Sequence, residues 1–229
     1  MIRQTLSIFA LAAAAAYSQD AGQDKAALQQ RIGEIKQSIG KNKAQLKQYA
    51  WTETTELSLK GEEKKRTQND CKYGPDGKVQ KTLIGTPPPP KQRKGVKGKI
   101  VAKKVGEMKE YMDRVGSLVR RYVPPDPKDL QASFQAGKAK LDKAAGQVTF
   151  TDYAKPGDKV TLTFDVATKK LRSFAVATYL DDPKDAVTLD ASFNSLPDGT
   201  NFVEKTVLNA TAKEIQITTT NSGHHKAGG

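Results

Sequence analysis

The chain has 229 residues, of which 38 are lysine or arginine and 25 aspartate or glutamate, giving a net charge of +13 at neutral pH with a single cysteine. One cysteine excludes an internal disulfide, and an aliphatic and aromatic content of 37% argues for one shallow layer interface rather than a thick two-sided α/β core. A chain of this size has room for one large domain that buries about two thirds of its unfolded surface.

Met1-Ile-Arg3 makes a short basic start, Leu6 to Ala16 is an apolar run too short to span a bilayer, and Ala16-Tyr-Ser18 is a small-x-small processing pattern. Residues 1–18 are therefore expected to be a cleaved secretory signal, and the mature protein to be periplasmic or secreted. Residues 19–222 are expected to form a single α+β domain, with 223–229 a flexible tail. Asp24 to Gln48 reads as helix, because Leu28, Ile32, Ile35, Ile39 and Leu46 recur at helical steps among Gln and Lys.

From Tyr49 the period changes to two. Tyr49, Trp51, Leu57 and Leu59 share one face, and Thr52, Thr54, Glu56 and Ser58 the other. Gly61 ends that strand, residues 62–73 continue as a charged strand, and Tyr73-Gly-Pro-Asp-Gly-Lys78 predicts a hairpin into Val79 to Ile84. Cys71 lies within the polar strand, either as a small buried hydrophobe or as an exposed thiol that couples two chains. Pro87 to Pro90 stop any regular element. After them Lys91, Arg93, Lys94, Lys97 and Lys99 crowd five positive charges into nine residues.

Val101, Val105, Met108, Met112, Val115, Val119 and Tyr122 then fall at alternating steps of four and three, a single apolar seam along one helix. Pro124 to Pro127 end it. Lys128 to Leu141 is predicted as a second helix, with Leu130, Phe134 and Leu141 inward. Six further strands follow, at 147–153, 159–166, 171–180, 186–193, 201–209 and 213–220. Their apolar positions alternate with Thr, Lys, Asp and Ser, and their connections are short enough for hairpins. Asn221 to Gly229, with His224 and His225, reads as a frayed tail.

The expected architecture is thus α+β: a curved antiparallel half-barrel of about nine strands, an N-terminal helix and a two-helix midchain lid. Trp51, Leu57, Phe150, Leu162, Phe164 and Phe174 would line the sheet face opposite Met108 and Met112. These residues form either a filled core or an apolar trough that accepts a flexible chain. Lys91, Arg93, Lys94, Lys97, Lys99, Lys103 and Lys104 form a basic stretch suited to an anionic surface, or simply a solvated face.

A chain with this export pattern, strands beginning near Tyr49-Ala-Trp51, a central helical insertion and a C-terminal meander resembles the bacterial lipoprotein-carrier superfamily, the LolA/LolB-like half-barrels. The segment from Leu196-Pro-Asp-Gly199 to Leu208, with Ile215-Gln-Ile217-Thr and Asn221-Ser-Gly223, is similar to the closing hairpin of exported proteins associated with that group. The resemblance covers nearly the whole mature chain and is architectural. It implies a helical lid over an apolar cavity able to take an acyl chain, and it carries over no residue-level role.

No catalytic constellation stands out. The only two histidines, His224 and His225, are adjacent near the C-terminus, Asp181-Asp182 sits in a turn-like Leu180-Asp-Asp-Pro183, and Gly74-Pro-Asp-Gly77 lacks the helix that cradles phosphate. No enzyme activity, metal or cofactor is expected. The partners implied are lipid or an acylated protein bound in the trough, or an anionic membrane surface, a glycan or a protein bound through the basic lid. Specific nucleic-acid binding is not expected, because the lysines lack interleaved stacking aromatics.

Overall fold

The computed structural model describes residues 40–85 and 95–227, apart from Lys143 and Lys169. The expected signal, most of the expected N-terminal helix and the charged stretch 91–94 lie outside the described residues. A first helix, α1, covers 40–46 of the described chain. Three strands follow: β1 (Tyr49–Leu59), β2 (Glu62–Tyr73) and β3 (Val79–Ile84). Two helices come next, α2 (Gly95–Val119) and α3 (Pro127–Gln135). The remaining strands are β4 (Ala139–Asp142), β5 (Gln147–Thr151), β6 (Lys159–Phe164), β7 (Leu171–Tyr179), β8 (Ala186–Ser195), β9 (Asn201–Ala210) and β10 (Ile215–Lys226).

All ten strands join one open antiparallel sheet in the order β3-β2-β1-β10-β9-β8-β7-β6-β5-β4. The chain lays three strands outward from β1, crosses to the opposite edge through α2 and α3, and returns strand by strand until β10 pairs with β1. Leu57 then stands opposite Ile217, and Leu59 opposite Ile215. A two-residue hairpin joins β1 to β2. Lys60 and Gly61 both adopt positive φ (55° and 77°) between β1 and β2, as a turn that matches strand twist requires. Gly146 is constrained by space: a Cβ there would lie 2.5 Å from the Phe164 carbonyl oxygen, whose own amide donates to the Gly146 carbonyl at 2.8 Å.

Period-two alternation sorts the strands into two faces. The inner face carries Val148, Phe150, Val160, Leu162, Phe174, Val176, Val187, Leu189, Leu208 and Ile215, all buried against Val115, Leu118 and Val119 of α2 and Leu130 of α3. The outer face is polar and linked across strands, as in Gln68 to Thr54 at 3.2 Å, Asn209 to Thr188 at 3.2 Å and Gln216 to Asn209 at 2.9 Å.

Three expectations are corrected, and the alternative left open at Cys71 is decided. The sheet has ten strands, because the second midchain helix ends at Gln135 and Gly137 (φ 70°) turns the chain into β4, where Ala139 pairs with Phe150. Phe134, expected inward, is exposed, since the helix stops before its seam can continue. Asn221 to Lys226 of the expected tail form the end of β10, with His225 opposite Ala50 and Lys226 opposite Tyr49, and residues 228–229 lie outside the described residues. Cys71 is fully buried, as a small hydrophobe.

A buried polar knot fastens the helices to the sheet. Asp158, with no exposed surface, accepts from the Tyr122 hydroxyl at 2.7 Å and from the amides of Tyr153, Ala154 and Lys155 at 2.6, 3.0 and 2.9 Å. Tyr122 also meets the Thr178 hydroxyl at 2.9 Å, and the Tyr153 hydroxyl accepts from the amide of Asp126, the N-cap of α3. Asp158→Ala should lower the unfolding free energy by about 3–5 kcal/mol, because it leaves several buried donors unpaired, while Tyr122→Phe should cost about 1–2 kcal/mol. Urea unfolding followed by circular dichroism measures both; equal, sub-kilocalorie effects would show that the knot is peripheral.

Candidate functional site

Seven of the eight residues expected to line a trough come together. Phe150, Leu162, Phe164 and Phe174 are buried on the inner face, with Leu57, Met108 and Met112 partly buried against the same cluster. Phe174 is 0% and Phe150 and Leu162 are 1% exposed, so no water-sized space adjoins these three. The gap bounded by Val119, Tyr122, Val176, Thr178, Val187 and Leu189 has no room for a water molecule, its cavity volume being 0 Å³. Trp51 belongs elsewhere. It stacks on His224 with ring centroids 5.9 Å apart, tilts against Tyr73 at 5.6 Å and donates its indole N–H to Asn221 Oδ1 at 3.0 Å, while His224 also meets Phe202 at 4.1 Å.

Cys71 sits opposite Trp51 in the ladder and is fully buried. Burial pushes its thiol up to about 11; the nearby Glu53 charge adds to the shift and Lys81 opposes it. Glu53 and Lys81 pair at 2.5 Å. His224 is held below the usual imidazole range by burial and by its neighbour His225. This cluster ties the end of β10 to β1 and β2.

The seam on α2 is where covered and uncovered apolar surface meet. Val115 and Tyr122 are 0% exposed, Leu118 and Val119 are buried, and Met112 and Met108 are partly buried. One and two turns further back, Val105 is 63% and Val101 39% exposed, with Ile100 at 53%. The side-chain hydrogen bonds of the described α2 residues to the rest of the protein begin only at Tyr111, whose hydroxyl donates to Asp185 at 2.7 Å, and continue with the Arg114–Asp181 ion pair. So the second half of the helix is embedded and the first half overhangs.

Charge divides at the same place. Residues 95–106 contain Lys97, Lys99, Lys103 and Lys104 and no acid, whereas Glu107, Glu110 and Asp113 follow. Lys103 and Lys104 are exposed. Of the other residues expected to meet an anionic surface, Lys97 and Lys99 belong to the first turns of α2, and Lys91, Arg93 and Lys94 lie outside the described residues. A groove of about 630 Å³ runs along the embedded half, past Lys109, Glu110, Asp113, Arg114, Ser117 and Arg121. Its charges are mixed, with Arg114 paired to Asp181 and Arg121 donating to the Ala154 carbonyl.

Sequence reasoning placed the seam but not its two halves, since all seven members share one spacing. It also missed Asp158, which reads locally as a turn residue.

Among the described residues no group of three or more His, Cys, Asp and Glu side chains could hold a metal ion, and no described helix is long and apolar enough to cross a membrane. Comparison with protein-family models, with curated proteins and with solved structures gives no match.

Burial raises the pKa of Tyr111 and Tyr122, and lifts Tyr153 to about 12. Each of these groups, like Cys71, binds its proton more tightly folded than unfolded. The associated stability is therefore complete below the unfolded value and is lost as pH rises through the folded one. Unfolding free energy should decline steadily from about pH 8.5, where an unfolded thiol is half ionised, through about pH 11. Urea titrations across that range check this; in Cys71→Ala the decline should start about one unit later, where tyrosines begin to ionise. A flat profile in the parent protein would contradict the burial of these groups.

Proposed function

We propose that this chain is a non-enzymatic interaction module of the cell envelope, exported to the periplasm or beyond, that binds anionic surfaces through the first half of α2. In this reading the sheet is a curved half-barrel scaffold, and the α2–α3 pair is a lid fixed at one end and presented at the other. One observation carries the reading: a single apolar seam passes from complete burial at Val115 to majority exposure at Val105, and the exposed stretch is also the acid-free, lysine-bearing one. A helix made only to plug a core has no use for an apolar stripe beyond the core's edge. A helix made only to stay solvated would not carry Ile100, Val101 and Val105.

The test is retention on dextran sulfate. The parent protein should elute at higher salt than Lys103→Glu/Lys104→Glu, while Lys159→Glu/Lys205→Glu, which makes the same change in net charge at exposed sheet positions, should stay near the parent. Equal losses in both double variants would mean that net charge alone drives retention, and the localised surface would be abandoned.

A carrier reading, in line with the lipoprotein-carrier resemblance, draws support from the partly buried rim of Leu57, Leu59, Met108, Met112 and Ile217 at the edge of the filled core. Methionine adapts to irregular apolar surfaces, so an acyl chain would enter at that rim rather than at Phe150 or Phe174. Native mass spectrometry of the purified protein decides: a co-purifying lipid or acylated peptide that is lost in Met108→Asp supports the carrier, and a bare mass under gentle conditions removes it.

A further inference from the structure

We propose that the overhanging half of α2 docks on an anionic lipid bilayer, with Ile100, Val101 and Val105 entering the interface and Lys103 and Lys104 meeting head-group phosphates. The inference rests on the reading above and names the partner of that surface.

Charge and apolarity must be satisfied together, and this selects the partner. Lys97, in the first turn of α2, opposes the macrodipole, which favours acidic residues there. The first turn of α2 contains no acid. The helix therefore forgoes an intrinsic stabilisation that an external layer of negative charge would restore. An anionic polysaccharide or a nucleic acid provides such charge, but it presents no continuous apolar layer to receive three neighbouring aliphatic side chains. An anionic bilayer provides both within one interface, phosphates above and acyl chains a few ångströms below, which is the environment that basic amphipathic helices occupy.

The anchoring pattern suits such docking. Tyr111 and Arg114 tie the second half to Asp185 and Asp181, and Tyr122, three residues past its end, is held by Asp158, so the first half is presented from an anchored base. Within the overhang the lysines lie beside the apolar stripe. At about 100° per residue, Lys104 falls between Ile100 and Val101 and Lys103 about 60° beyond Ile100, away from Val101 and Val105, so the long lysine side chains reach phosphates from one edge while the stripe is immersed.

The experiment uses the full chain carrying Val105→Cys labelled with nitrobenzoxadiazole; Cys71, fully buried, stays unlabelled under native conditions. Vesicles of phosphatidylcholine alone are compared with vesicles containing phosphatidylglycerol. The expected result is co-sedimentation and a blue-shifted, brighter label on the phosphatidylglycerol vesicles only, weakening as salt is raised. Lys103→Glu/Lys104→Glu should lose at least about twenty-five-fold in affinity, at roughly fivefold per basic residue. In the unlabelled chain, Val101→Asp/Val105→Asp should lose binding although every lysine is kept, and both sites are exposed, so its circular dichroism should match the parent.

Four results would overturn the proposal. One is absence of vesicle binding while localised retention on dextran sulfate persists, which leaves the broader reading standing without lipid. Another is vesicle binding unaffected by Val101→Asp/Val105→Asp, which would make it surface adsorption without insertion. The third is a label already blue-shifted without vesicles, which would mean that the stripe is covered by this chain itself. Loss of both vesicle binding and localised retention would remove the two readings together.

Discussion

The arrangement of this protein turns on one hydrogen-bonded carboxyl group. Asp158 lies in the connection between β5 and β6, and its two oxygens gather three consecutive backbone amides and the Tyr122 hydroxyl. A buried carboxyl group is costly unless each of its lone pairs finds a donor, and here the donors come from segments that nothing else joins so directly. The connection brings its own amides; Tyr122 brings the end of α2; Thr178 on β7 meets the same hydroxyl; and Tyr153 reaches the N-cap of α3. The place where the helical crossover touches the sheet is thereby set by directional contacts as well as by packing.

What this does to α2 follows from its length. Twenty-five residues at 1.5 Å each make a rod of about 37 Å, fixed near its C-terminal end and again near its middle by Tyr111 and Arg114. Burial of Val115, Leu118, Val119 and Tyr122, at about 1.5–3 kcal/mol per large side chain, makes the embedded half the stable part. The other half keeps its helical form without a comparable apolar partner among the described residues. Gly95, Gly98 and Gly106 further weaken it, at up to about 1 kcal/mol each relative to alanine. A segment with little stabilisation of its own is the part of a fold that gains most from an external surface.

The broad plan was legible because it depends on local periodicity. The alternation of Leu57 and Leu59 with Glu56 and Ser58, the Tyr73–Lys78 turn and the four-three seam of α2 each specify an element within a few residues. The failures come from information that is not local. Leu130, Phe134 and Leu141 stand at helix-compatible distances, yet Gly137 at positive φ and pairing with β5 convert the last of these residues' segment into a strand. The polar run Asn221 to Lys226 has no apolar alternation, and it is a strand only because Tyr49 and Ala50 offer an unpaired edge some 175 residues earlier in the chain. Phe150, Leu162 and Phe174 were recognisable as sharing a face, but whether that face was open or plugged depended on the height of α2 above it. The crossing point of a helix with a sheet leaves no mark in the spacing of either.

The filled interior also decides where any apolar partner can act. Reaching Phe150 or Phe174 would require α2 to lift, re-exposing Val115, Leu118 and Val119, at a cost of several kcal/mol, and pulling Tyr122 from a site where Asp158 would lose a donor. A ligand would recover part of that apolar area, but it could not replace the hydroxyl unless it carried one at the same place, and an acyl chain carries none. At Ile100, Val101 and Val105 no such displacement is needed among the described residues, because these side chains are already exposed. The same chain therefore holds two apolar regions of opposite character. The deep one is sealed by its own helix, and the shallow one is accessible because the knot at Asp158 places the far end of that helix beyond the core.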